Sequence, residues 1–198
     1  MATKFIELAC PNCGASTSTS DKTCSYCSAP IVISTFNSVY EMSLPDINKY
    51  ASAYKHVLNT SPDSAEVNNA IAMCYLKLKL HKQALIYFEN AISNNFDNSE
   101  TYFYAAIALL GGKKAFLASR FAIDKIDQYL SAAESIEPKG IYYYFHSYIK
   151  YDYFERKHFI TSPHYKELFQ NSIDVGFSEY DVVMLFKILD IERPAFHS

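Results

Sequence analysis

The feature that most constrains this chain is a set of four cysteines near the N-terminus, arranged in two identical Cys-x-x-Cys steps. Cys10 and Cys13 form the first step and Cys24 and Cys27 the second, with 10 residues between the two steps. So short a segment cannot bury enough apolar surface to offset its ordering entropy, and a bound metal would supply the missing free energy. The spacing lets four thiolates meet at one point. It therefore predicts one Zn²⁺, which contributes about 10–16 kcal/mol in finger peptides.

The sequence around these cysteines resembles the short zinc ribbons. The runs Cys-Pro-Asn-Cys-Gly at 10–14 and Cys-Ser-Tyr-Cys at 24–27 carry the resemblance, which implies a small β-structured zinc ribbon over residues 1–35. Four protein ligands leave no open coordination position, so we expect a structural metal that activates no water. Iron bound by the same ligands is an alternative, and a pair of disulfides is another.

Charge and hydropathy bear on the compartment and on the class of partner. Residues 1–8 lack the long apolar core of a signal peptide, so we expect a cytoplasmic protein with reduced thiols. Over residues 1–34 the only cations are Lys4 and Lys22, so no phosphate-binding patch is predicted and nucleic acid is an unfavoured partner. No stretch approaches the ~20 apolar residues of a membrane span, so no membrane partner is expected.

The segment after the ribbon predicts a short strand, a linker and then helices. Ile31-Val32-Ile33 favours a closing strand, and residues 36–44 a linker. Ser43 followed by Asp46 predicts the N-terminus of a helix that ends before Pro62. The expected buried face of this helix consists of Ile47, Tyr50, Ala51, Tyr54, Val57 and Leu58.

The next residues, 65–98, resemble a tetratricopeptide repeat. The pattern is Ala72 and Tyr75 on a first helix and Ala84, Phe88 and Ala91 on a second, and the flanking helices continue it in register. Small residues allow the paired helices to approach while the aromatic rings fill the space beside them. The resemblance implies a mainly α domain over residues 45–198, an antiparallel helix-pair solenoid whose clearest repeat is 65–98.

Downstream the repeat pattern loosens, although helical signals continue. Gly111-Gly112 predicts a turn between helices, followed by one extended helix from about 114 to 137. Ser162-Pro163 predicts an N-cap with proline at the first helical position. Ser178 with Asp181 predicts a last helix, whose expected buried residues are Val182, Val183, Leu185, Phe186 and Leu189.

The resemblance also implies a concave groove that binds a protein or peptide partner and is lined by the first helix of each pair. The alternative is that Met73, Phe103 and Ile107 are core residues covered by the C-terminal helices. The residues expected in the groove are Glu66, Asn69, Met73, Leu76, Lys77, Glu100, Phe103, Ile107 and Leu110.

No motif in the helical part predicts catalysis. The six histidines show no metal-binding spacing, and Gly111-Gly112 lacks the preceding strand of a phosphate loop. Cys74 is expected to be a small buried hydrophobe. We therefore expect a non-enzymatic interaction adaptor or scaffold. The alternatives are a nucleic-acid-associated factor that uses the ribbon and a zinc or thiol redox switch.

Overall fold

The computed structural model describes residues 6–94 and 97–195, which divide into two units, Met1–Phe96 and Asp97–Ser198. The first unit contains the cysteine-rich segment and the helices that follow it. The second unit is helical throughout its described elements.

The cysteine-rich segment contains one small antiparallel sheet. Strand β1 (Glu7–Ala9) pairs with β2 (Ser16–Ser18), with Leu8 opposite Thr17. The strand predicted at residues 31–33 does not form, and only an isolated bridge joins Thr23 to Pro30. Ile31 and Ile33 are nevertheless buried. They need no strand partner, because the Tyr54 hydroxyl bonds to the Ile31 carbonyl and to the Ile33 N–H.

The predicted linker, residues 36–44, contains a short helix. Helix α1 (Phe36–Tyr40) buries Phe36 and Val39 and packs against helix α3 (Ala65–Lys77). Two apolar residues three positions apart give even this short segment a buried helical face, so it is part of the packed structure.

Three longer helices complete the first unit and follow the predicted pattern closely. Helix α2 (Leu44–Thr60) begins at Ser43, whose hydroxyl accepts a hydrogen bond from the Asp46 N–H. Helices α3 and α4 (His81–Asn94) form the hairpin of the predicted repeat. Its small and aromatic positions Ala72, Ala84 and Phe88 are fully buried, as the packing argument requires.

The second unit opens with helix α5 (Ser99–Leu110), which ends at Gly111 in the left-handed conformation (φ 64°). The single extended helix predicted after this turn is wrong. A 3₁₀ turn (Ala115–Leu117) comes first, and helix α6 (Arg120–Ile136) starts only at its own N-cap, Ser119. The serine hydroxyl accepts from the Ala122 N–H, which favours a new helix start over a continuous one.

Helix α7 (Gly140–Ile149) continues into a π-helical turn (Lys150–Phe154) and a 3₁₀ turn (Glu155–Lys157). Helix α8 (Tyr165–Val175) follows, capped by His164. The start predicted at Ser162-Pro163 is wrong, because the helix begins only after His164, whose ring nitrogen accepts a hydrogen bond from the Lys166 N–H.

The last helix, α9 (Glu179–Leu189), begins as predicted at Ser178. Ser178 and Asp181 form a reciprocal capping box, and Val182, Leu185, Phe186 and Leu189 are buried. Val183, predicted to be buried, is instead 52% exposed. Its neighbour Met184 takes the buried position.

Candidate metal centre and partner surfaces

The two cysteine knuckles share one backbone arrangement. In the first, the Gly14 N–H donates to the Cys10 carbonyl (2.9 Å) and the Cys10 N–H donates to the Ala15 carbonyl (2.8 Å). In the second, Ser28 and Ala29 make the equivalent two bonds with Cys24, both 2.8 Å long. Gly14 (φ 77°) and Ser28 (φ 58°) are both left-handed, so the structure needs the same turn in both places although only one sequence supplies glycine.

These knuckles bring the four sulfurs together. The Sγ atoms of Cys10 and Cys27 lie 3.7 Å apart, as do those of Cys13 and Cys24, and all four sulfurs are within 4.8 Å of one another. A covalent S–S bond is only about 2.05 Å long, so the sulfurs are not paired as disulfides. A tetrahedral ion with bonds of about 2.3 Å to sulfur needs sulfurs about 3.8 Å apart, which matches the two closest pairs.

The surroundings of the sulfurs also suit a metal. Cys10 and Cys24 are buried, whereas Cys13 is exposed, so the cluster lies just beneath the surface. Hydrogen bonds from the Ala29 N–H and from Asn12 lower the pKa of the Cys27 thiol to about 6, which favours a thiolate there. The Ala15 N–H lowers the pKa of the Cys13 thiol, but the neighbouring thiols outweigh it and raise that pKa to about 12. The arrangement can hold one four-coordinate metal ion, and with all four positions filled by cysteine it offers no site for a reacting water.

Two tyrosines on α2 hold the segment that leaves the second knuckle. The Tyr50 hydroxyl donates to the Pro30 carbonyl at 2.9 Å. The Tyr54 hydroxyl donates to the Ile31 carbonyl and accepts from the Ile33 N–H, both at 3.0 Å. Burial raises the pKa of Tyr50 to about 12 and raises that of Tyr54 further, so both stay protonated as donors. The sequence predicts both rings as buried on one helix face, but it gives no signal for these bonds.

The predicted groove residues on α3 are mostly buried. Asn69, Met73 and Leu76 are each at most 5% exposed, and Glu66 is exposed. The Lys77 ammonium donates to the Tyr40 carbonyl at 2.8 Å and lies 3.9 Å from the centroid of the Tyr40 ring. Helix α1 therefore engages the lysine that was expected to face a partner.

The predicted groove residues on α5 show the same behaviour within the second unit. Phe103, Ile107 and Leu110 are buried, and the Phe103 ring lies 4.7 Å from the Tyr142 ring, centroid to centroid. Glu100 is half-buried and pairs with Lys139 at 3.3 Å. Burial of Met73, Phe103 and Ile107 agrees with the alternative of a packed core. A partner-binding role for the groove stays a prediction.

Sequence reasoning missed a buried ionic cluster in the second unit. His146, only 1% exposed, contacts Asp127 (2.7 Å) and Glu134 (2.9 Å), and Lys150 pairs with the same Asp127. Burial lowers the pKa of His146, but the two carboxylates outweigh it and the net pKa is raised. The spacing of Asp127 and Glu134 on α6, seven residues apart, was the only signal in the sequence, and nothing in it identified His146 as their partner.

His158 and His164, which flank a turn in the sequence, do reach one pocket. The pocket has a volume of about 280 Å³, and Glu155 pairs with His164 in it at 3.4 Å. Both histidines are exposed. Among residues 6–94 and 97–195, the four cysteines are the one group of three or more potential ligands close enough to share a metal.

Two further predictions concern charge and membranes. Lys22 is exposed on the cysteine-rich segment, whereas Lys4 lies outside the described residues. Within the part of the chain that the structure describes, none of the helices is both long enough and apolar enough to cross a bilayer.

Comparison with known proteins supports the fold. No protein-family model matches the chain, and no curated protein matches its sequence. The crystal structure of MamA, a TPR-like protein, is similar with a TM-score of 0.55 at 16% identity, covering 73% of this chain and 75% of that chain. At this identity the likeness concerns the fold alone. It confirms a mainly α chain of TPR-like helix pairs with a small two-stranded sheet at the four-cysteine segment.

Proposed function

We propose that this chain is a non-catalytic adaptor for protein interactions, with a zinc ribbon at residues 1–35 and a helical-repeat domain that binds a protein or peptide. The observation that carries the proposal is the convergence of four sulfurs within 4.8 Å of one another in a chain of TPR-like helix pairs, a fold class that presents extended binding surfaces. The metal is one structural Zn²⁺ held by Cys10, Cys13, Cys24 and Cys27. Unbonded thiols suit the reducing cytoplasm, where we place the protein.

Elemental analysis of the purified full chain tests the metal. One zinc per chain is expected, lost in Cys24→Ser and retained in the matched control Cys74→Ala, since Cys74 lies apart from the cluster. Stoichiometric iron would replace zinc in the proposal. Chains with no metal and oxidised thiols would contradict it.

The ribbon and the helices offer two accessible contact points for a partner. Tyr26, on the second knuckle, is 79% exposed, and Glu66 is exposed at the edge of the predicted groove. Exposed aromatic residues on rigid supports are frequent anchors of protein interfaces. Replacing buried Met73 or Phe103 would test stability as much as binding, so Tyr26→Ala and Glu66→Arg are the better probes of contact.

Affinity capture of the full chain, with and without nuclease, tests the class of partner. We expect the same proteins to be retained after nuclease and at high salt, and at least one to be lost with Tyr26→Ala or Glu66→Arg. Retention that requires nucleic acid and falls steeply with salt would favour the nucleic-acid alternative. Release of zinc and of partners by mild peroxide would favour the thiol switch.

A further inference from the structure

The second unit carries a cationic and apolar surface. We call it the cationic-apolar patch and define it by Leu117, Arg120, Phe121, Arg156 and Lys157. Leu117 is 70% exposed and Phe121 is 77% exposed, and both stand among cationic side chains. Exposed apolar groups ringed by charge mark interaction sites.

The turn that carries Leu117 is held firmly in place. The Phe116 N–H donates to the buried Asp152 carboxylate at 2.8 Å, and the Ala115 N–H donates to the Tyr148 hydroxyl at 3.3 Å. Both acceptors lie on α7 or its π-helical extension, more than thirty residues along the chain. The 3₁₀ turn is therefore a fixed platform on which Leu117 projects outward.

The cations around this turn are also fixed in position. The Arg156 guanidinium carbon lies 4.6 Å from the centroid of the Phe116 ring, and the Lys157 Nζ lies 3.9 Å from that of Tyr153. Arg156 also pairs with Asp152, and its side chain keeps 44% exposure. Because a guanidinium has five donors, it can bind a second carboxylate while it holds the first.

The local charge is positive on a chain whose net charge is −3. Residues 113–121 contain Lys113, Lys114 and Arg120 and no carboxylate, and Arg156 and Lys157 join them through the Phe116 ring. Arg120 pairs with Asp124 at 2.8 Å with 59% of its side chain exposed. Positive charge around two apolar projections complements a partner that carries the opposite sign around apolar groups.

We propose that the cationic-apolar patch binds an acidic segment of a partner protein, in which Asp or Glu residues flank one or two apolar side chains. Leu117 and Phe121 contact the apolar side chains, and Arg120, Arg156 and Lys157 bind the carboxylates. The fixed cations favour a peptide over a lipid surface. Carboxylates at set positions in a peptide can form aligned hydrogen bonds with the guanidinium groups, whereas attraction to a lipid surface depends on charge density alone.

A fluorescence anisotropy titration of the full zinc-loaded chain tests this inference. The probe is a short labelled synthetic peptide in which Leu and Phe alternate with pairs of Asp and Glu. Two control peptides replace the acids with Lys or the apolar residues with Ser. We expect binding of the acidic-apolar peptide, weakened about tenfold or more by Leu117→Ser with Phe121→Ser, and weakened by Lys157→Glu in a salt-dependent way.

Matched controls keep the result specific. Ile160→Ser removes an even more exposed apolar side chain of the same unit, and Lys166→Glu reverses the charge of an exposed lysine, and neither is expected to change binding. Unchanged circular dichroism shows that the variants fold. Equal binding by the patch variants, or equal binding of the Ser peptide, would overturn the proposal.

Vesicles of phosphatidylcholine and phosphatidylserine form the second arm of the test. Vesicle binding that the same patch variants abolish, without peptide binding, would assign the surface to lipid and overturn the peptide proposal. The patch contains no cysteine ligand and no groove residue. Glu66→Arg and Tyr26→Ala should therefore leave peptide binding intact, and the two proposals can fail separately.

Discussion

At the scale of single residues, backbone conformation and burial determine how the four clustered cysteines and the fifth cysteine behave. Both knuckles need a left-handed residue after the second cysteine, and they supply glycine at position 14 but serine at position 28. A residue with a Cβ costs about 1–2 kcal/mol in this conformation. The second knuckle therefore carries strain that the first does not.

Ser28→Gly should relieve this strain and tighten metal binding by about two- to fivefold, since the freer unfolded glycine offsets part of the gain. Competition with a colorimetric zinc chelator measures the change. Gly14→Ala is the opposing variant and should weaken metal binding, because alanine is strained at the left-handed φ of this position. Its Cβ would have no neighbour within 4 Å, so the backbone strain is the only expected cost. Equal affinities for the two variants would show that φ does not limit the site.

Cys74 should be chemically inert in the folded protein. Burial raises the pKa of its thiol to about 12, so almost no thiolate forms at neutral pH. Iodoacetamide followed by mass spectrometry should show Cys74 unmodified in the native chain and alkylated after denaturation. Rapid native labelling would mean that α3 opens locally.

At the scale of elements, close helix contact in the second unit depends on one glycine. A Cβ built at Gly140, the first residue of α7, would lie 2.2 Å from the Gly176 carbonyl oxygen and 2.8 Å from that of Ser172. These are backbone atoms, so no side chain can move aside. The start of α7 can therefore approach the end of α8 this closely only because residue 140 is a glycine.

Gly140→Ala should destabilise the chain by about 1–3 kcal/mol through this overpacking. Urea unfolding followed by circular dichroism measures the loss. Ser147→Ala on the same helix is the contrasting variant, because it removes a buried hydroxyl without a hydrogen-bond partner and should cost little or nothing. A neutral Gly140→Ala would show that the helices separate readily.

Elements with local signals could be predicted from the sequence. The caps at Ser43 and Ser178 and the cysteine cluster depend on residues only a few positions apart or on fixed spacing. The Ser119 cap of α6 is an equally local signal that the prediction missed, whereas the 3₁₀ turn before it could not be predicted, because Asp152, far along the chain, holds it. The hydrogen bonds from the two tyrosines to residues 30–33 and the contact between His146 and Asp127 could not be predicted for the same reason. Both form only when distant parts of the chain pack together.

At the scale of the whole molecule, the buried ionic cluster gives stability a dependence on pH. The pKa of His146 is raised in the folded chain above its ordinary value, whereas that of Asp127 is lowered. Protonated His146 therefore stabilises the fold below the unfolded pKa of about 6.5. This contribution is lost as pH rises through the higher, folded pKa.

The free energy of unfolding, measured with urea at stepped pH values, should fall as pH rises above neutrality. It should also fall in acid, as Asp127 is protonated at its lowered folded pKa. His146→Gln should remove the fall on the alkaline side and leave the fall in acid. A wild-type curve that is flat above neutrality would mean that His146 stays neutral between Asp127, Glu134 and Lys150.

The hydroxyls of Tyr50 and Tyr54 have a consequence for how the cysteine-rich segment moves. They bind the backbone at residues 30–33, so the segment is held against α2 and is not joined to it by a free linker. Anything that docks on the knuckles is thereby presented at a set angle to α2. A force applied to the docked molecule would be transmitted to α2 through these hydrogen bonds.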